Sequence, residues 1–178
     1  MILNSSIDSL RRVFQQGFTV QDVAEPLISF DREAPAERVR SVMEARRLEV
    51  AGIRDQGLVV GFVRRDELNE GECGHAMRTF DPSQTVHEST RLDDLILRLK
   101  EHQRLFVSVL GRVGGIVSRS DMQKPPVRMW LFGIVTLIEM RFTKLIDGLL
   151  PDEQWRGHLT ESRIRKAETL VAERVRRG

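Results

Sequence analysis

Gly114-Gly115-Ile116-Val117-Ser118-Arg119-Ser120-Asp121 ends an apolar run and leads into a polar turn. Before it, Leu105-Phe106-Val107-Ser108-Val109-Leu110 has the composition of a short strand, Gly111 to Gly115 reads as a Gly-rich turn, and Ile116-Val117 as the returning strand. The stretch is therefore expected to be a hairpin that delivers Ser118 and Asp121 together. Three residues apart at the start of a helical turn, a hydroxyl and a carboxylate either cap backbone N–H groups or face one polar group of a ligand.

A second copy lies upstream. Gly61-Phe62-Val63-Arg64-Arg65-Asp66-Glu67-Leu68 aligns with Gly115 to Met122, and Gly61 and Gly115 stand 54 residues apart. The elements around the two copies recur in the same order. In the first, Leu27 to Phe30 reads as a strand and Pro35 opens a helix with Val39, Val42 and Met43 on one face. Val50 to Ile53 and Leu58 to Val63 then form strands joined by a turn at Arg54 to Gly57, and Arg64 to Leu68 closes the unit as a short helix. In the second, a turn at Thr79 to Pro82 precedes a weak strand around Val86, and Arg91 to Lys100 is an amphipathic helix through Leu92, Leu95, Ile96 and Leu99. An internal duplication of this length takes precedence over any single-residue motif. The organisation expected is an N-terminal helix (1–16), a first motif (17–68), a polar linker (69–77), a second motif (78–124) and a helical extension (125–178).

Composition bounds the function. The chain has 178 residues, 28 basic and 26 acidic, for a net charge of +2, and a chain of this size buries roughly 70% of its unfolded surface when it packs as one body. No basic stripe interleaved with aromatics is present and tyrosine is absent, which leaves no stacking platform for nucleic-acid bases. Cys73 is the sole cysteine, so neither an internal disulfide framework nor a thiolate-rich metal site is expected. Cys73 and His75 read as exposed linker residues without zinc spacing. The stretch Met1 to Ser6 lacks a basic segment followed by a long apolar one, so a secretory leader is not expected and a cytoplasmic location is. Met129 to Met140 is apolar but short and interrupted by Glu139, so no membrane span is expected. A Gly-x-Ser-x-Gly elbow, a Walker loop and a His-Glu-x-x-His pair are all lacking. The chain reads as non-enzymatic.

The paired repeats, the shortened Asp-x-x-Gly turn at Asp55-Gln56-Gly57 and the Gly-hydrophobic-Val-Ser-x-x-Asp end at Gly115 to Asp121 resemble tandem CBS domains, the Bateman module. The resemblance spans about residues 17–124. It implies an α/β (α+β) fold of two β-α-β-β-α motifs packed with pseudo-twofold symmetry. It also implies a regulatory module binding AMP, ADP, ATP or S-adenosylmethionine between the motifs. The residues it assigns to ligand are Gly115, Ile116, Ser118, Arg119 and Asp121, with hydroxyl and carboxylate near ribose and phosphate. That agrees with chemistry: a carboxylate accepts from a diol, and a hydroxyl beside helix-start N–H groups suits a phosphate.

The first copy departs from the pattern, with Arg64 at the hydroxyl position and Glu67 at the aspartate position. Arg64 is either a solvated or structural cation, fills its own cleft, or lends charge to phosphates held by the second copy. A ligand-free pair serving dimerisation or partner binding is the rival reading.

Lys124-Pro125-Pro126-Val127 stops the repeat and opens a helix so apolar that it needs cover on several sides. A homodimer through the motifs and the 127–148 helix is expected. Pro151-Asp152-Glu153 reads as the start of a charged final helix with a narrow apolar stripe. An unknown protein partner or an output domain beyond the chain also fits that ending.

Overall fold

A computed structural model describes residues 7–177; the serine cap expected at Ser5 or Ser6 lies outside them. Helix α1 (Ile7–Gln16) comes first, then β1 (Glu25–Pro26), β2 (Ser29–Asp31), α2 (Ala36–Ala45), β3 (Val50–Asp55) and β4 (Leu58–Arg64). The second half repeats this with β5 (Thr85–His87), α3 (Leu92–Glu101), β6 (Arg104–Val109) and β7 (Arg112–Ser118), followed by α4 (Pro125–Leu149) and α5 (Glu161–Arg177). The fold is mixed α/β, with a three-stranded sheet ordered β2-β3-β4 and a four-stranded sheet ordered β1-β7-β6-β5.

Each hairpin forms where the sequence places it, but its turn is tighter than expected. Leu110-Gly111 makes the second turn, both at positive φ (50° and 78°), and Gln56-Gly57 the first, at 48° and 81°. Two residues at positive φ give a turn whose twist matches that of the strands it joins. Arg112 to Gly115 therefore belongs to β7 rather than to a long Gly-rich loop. The parallel partners are set alike: β2 beside β3 in register Ser29↔Gly52, and β5 beside β6 in register Thr85↔Phe106.

The lead-in segments cross over between the sheets. β1 pairs antiparallel with β7 (Glu25↔Ile116), and an isolated bridge joins Arg78 to Phe62 of β4. Thr19 likewise bridges to Arg91, and Glu72 to Pro35. Glycines permit the crossing. A Cβ on Gly61 would stand 2.5 Å from the Arg78 carbonyl oxygen, and one on Gly115 3.2 Å from that of Glu25.

Three clusters hold the body together. One packs Leu92, Leu95, Leu105 and Val117 with Val20 and Val23 from the lead-in, and with Val127 and Trp130 of α4. Another packs Val39, Met43, Ile53 and Val63 with Leu68 and Cys73. Cys73 is thus a core residue, not the exposed linker residue its polar neighbours suggested; its thiol lies 3.3 Å from the Asp31 carbonyl oxygen and donates to it. Between the sheets, Phe106 meets Phe62 and Phe80 at centroid distances of 4.6 and 4.7 Å. Such aromatic pairs add roughly 0.5–1.5 kcal/mol beyond their burial.

The extension differs from expectation at one place. Asp152 and Glu153 have φ of 56° and 61°, a left-handed conformation that cannot start a right-handed helix, so α5 begins only at Glu161. No helix among the described residues is long and apolar enough to cross a membrane.

Candidate functional site

Strand β7 ends at Ser118, and the chain turns there into a 3-10 turn, Arg119–Gln123. Oδ2 of Asp121 accepts from the Ser118 N–H at 2.7 Å and from its hydroxyl at 2.9 Å. With that proton committed, the Ser120 hydroxyl, 2.7 Å away, donates to Ser118 Oγ. Oδ1 of Asp121 faces Lys124 Nζ at 2.8 Å. Hydroxyl and carboxylate therefore cap the turn, the first of the two roles open to them. Of the about four acceptor sites on an ionised carboxylate, three are occupied and one on Oδ1 is left.

Lys124 is the hub of this corner. Its ammonium also donates to the Val23 carbonyl at 2.7 Å and pairs with Glu25 at 3.0 Å, tying β1's lead-in to the turn. Burial works to lower the Lys124 pKa, but the hydrogen bonds and charges of Asp121 and Glu25 outweigh it and hold it above the ordinary lysine value.

A cleft of about 510 Å³ opens beside this corner, where the starts of β3 and β6 meet the end of β7. Leu48, Val50 and Ile116 give it an apolar wall; Ser118, Arg119, Ser120 and Asp121 form one rim, and Arg47, Glu49, Gln103 and Arg104 another. Its size falls within the range of small-molecule sites, and apolar walls with a few convergent polar groups are their usual construction. Arg104 pairs with Glu49 across the two motifs. Arg47, held at φ 55° just past the end of α2, has no ion pair.

The residues expected at the site are placed differently from one another. Ile116, Ser118, Arg119 and Asp121 are brought together on one cleft. The Arg119 guanidinium turns back, donating to the Leu99 and Lys100 carbonyls at 2.7 and 2.9 Å, where it caps the end of α3. Gly115 does not line the cleft; the backbone of β1 covers it. Arg64 sits in an adjoining cleft of about 280 Å³ with Arg65 and Asp66, which shares Glu49, Gln103 and Arg104 with the first. Its nearest acid is Glu67 at 3.9 Å, which is held in turn by the Arg78 guanidinium, with Nε 2.7 Å from Oε2.

Arg47, Val50, Gln103 and Arg104 escape the motif reading because they precede the hairpins. The repeat does carry a signal for two of them. Arg104 is the register partner of Ser118, as Val50 is of Arg64.

Neither a protein-family model nor a curated protein sequence matches this chain. Solved structures do match it. The AMP complex of CBSX2 superposes with a TM-score of 0.52 at 20% identity, covering 66% of this chain and 98% of that one. The CBS-pair protein CBSX2 from Arabidopsis thaliana gives 0.51 at 21% identity, covering 64% and 94%. The CBS domain of a membrane protein from Sphaerobacter thermophilus gives 0.51 at 14% identity, covering 65% and 91%.

Proposed function

We propose that this chain, whose fold is that of a CBS-motif pair, is a regulatory module without catalytic activity that binds an adenosine nucleotide in the larger cleft. The observation that carries this reading is the junction itself: an apolar wall of Leu48, Val50 and Ile116 faces the Ser118–Asp121 corner, with the unpaired Arg47 and the guanidinium of Arg104 on the opposite rim. The wall suits a base. The remaining acceptor site of Asp121 suits a ribose hydroxyl, and Arg47 suits a phosphate. Among AMP, ADP, ATP and S-adenosylmethionine, the cationic rim favours the phosphate-bearing ligands over the sulfonium. Gly115 belongs to the site only as support for β1, and Arg64 as a cation that a longer phosphate chain would reach through the shared wall. In this reading the module acts in the cytoplasm as a homodimer and passes its bound state through the helical extension to an output domain or partner.

One observation favours the ligand-free alternative: Asp121 already has three partners of its own. Calorimetry separates the two. At least one phosphate-bearing nucleotide should bind the wild type at or below millimolar concentration, and Arg47→Ala should weaken it about tenfold, which corresponds to about 1.4 kcal/mol. Arg47 is the better test residue, because Asp121→Ala also removes a cap. Absence of binding by all four compounds, or undiminished binding by Arg47→Ala and Asp121→Ala alike, refutes the proposal.

A further inference from the structure

Helix α4 has two unlike faces. On one, Val127, Trp130, Gly133 and Leu137 are buried. Gly133 lies so close under Phe14 of α1 that a Cβ would stand 2.0 Å from its ring. On the other, Leu131, Val135, Ile138, Phe142, Leu145 and Leu149 are all between 46% and 69% exposed. Their spacing alternates four, three, four, three, four. That is the a/d heptad pattern, which lines up as one seam along a helix and inserts as knobs into the holes of a second helix of the same period. Phe132 and Ile146, also exposed, flank it.

We propose that this seam pairs with the same seam of a second copy of the chain, making a two-helix coiled-coil interface. This deepens the homodimer part of the functional reading and is independent of its nucleotide part. Three observations select a second copy. First, a stripe of this period fits a helix carrying the same period, and the chain carries one; a twofold contact sets each patch against itself. Second, the exposed apolar side chains of the seam and its flanks amount to roughly 800 Å², the per-partner area of a standard stable interface. Third, Arg128 and Glu139 border the seam with opposite charges, so the helix lacks the cationic rim that draws an amphipathic helix to an anionic bilayer. Helix α5 of the same chain is a poorer match: its apolar positions Leu170, Val171 and Val175 are themselves exposed, and their spacing does not continue the heptad.

The test is sedimentation equilibrium of the full chain at micromolar concentration. The wild type should be dimeric, Ile138→Lys/Leu145→Lys monomeric, and Leu110→Lys, at the exposed β6–β7 turn, still dimeric. Circular dichroism and unfolding of each variant establish that it is folded. A Leu145→Cys variant should form covalent dimers on mild oxidation, while Cys73 stays buried. A dimer that survives the double lysine substitution overturns the seam but leaves a homodimer through the motifs standing. A monomeric wild type overturns both; amide-exchange protection of α5 would then place that helix on the seam, and flotation with vesicles would place a lipid surface there.

Discussion

Lys124 Nζ lies 2.8 Å from Asp121 Oδ1, and Lys124 is also the residue on which the first turn of α4 rests. One ammonium therefore joins the carboxylate of the candidate site, the crossing segment at Val23 and Glu25, and the start of the helix that carries the seam. A ligand taking the last acceptor site on Oδ1 would share it with this ammonium. It would shift α4 only by binding two arrangements of this corner with different affinity.

Lys124→Met should lower stability by about 1–3 kcal/mol, as expected for loss of hydrogen bonds to charged and carbonyl acceptors in a half-buried site. Its pH dependence follows from the raised pKa. A raised folded-state pKa gives a contribution that is complete at neutral pH, persists up to the ordinary lysine value of 10.5, and disappears as pH climbs through the raised value. Urea unfolding of wild type and variant should differ at pH 7 and converge in strong alkali. A difference that grows with alkalinity contradicts this.

Gly61→Ala should cost more than Gly115→Ala. The first places a methyl group 2.5 Å from a backbone carbonyl of the crossing segment, the second 3.2 Å from its counterpart. We expect about 3 kcal/mol against about 1 kcal/mol, the span of overpacking costs, read from denaturant midpoints. Equal costs would mean that the two crossings are equally tight.

Gly133→Ala drives a Cβ into the Phe14 ring and should detach α1 from α4 at a cost of about 1–3 kcal/mol. Phe14→Ala added to it should recover part of the loss, because the clash is gone. Amide exchange of α1 reports the detachment directly. Additive losses would show that the two residues do not meet.

Cys73 should react with a thiol reagent only after unfolding. Burial pushes its thiol pKa up, and the Asp31 carbonyl accepts its proton. Labelling should be slow in buffer and fast in urea. Rapid labelling of the native protein would place Cys73 on the surface.

The local elements were legible because their signals are local. Apolar period defines α3 through Leu92, Leu95 and Leu99, all buried, and alternation with turn residues defines both hairpins. The turn position was misread because Val113-Gly114-Gly115 looks like loop by composition, while pairing of Val107 with Gly115 makes it strand. Asp152 and Glu153 look like a helix start by charge, and their left-handed backbone moves that start to Glu161.

What the sequence by itself determined is the duplication, the order of elements and the Ser118–Asp121 corner, since each depends on residues within a few positions of one another or on a repeat visible in the chain. Tertiary structure alone decided which groups meet at that corner. Lys124 is bonded to Val23, about a hundred residues away, Arg104 faces Glu49, Arg47 reaches the same cleft, and Cys73 is enclosed with Met43 and Leu68. These contacts follow from lead-in segments that cross to the opposite sheet. Such a crossing is fixed by packing and long-range pairing, for which a periodic or motif reading of the chain holds no local signal.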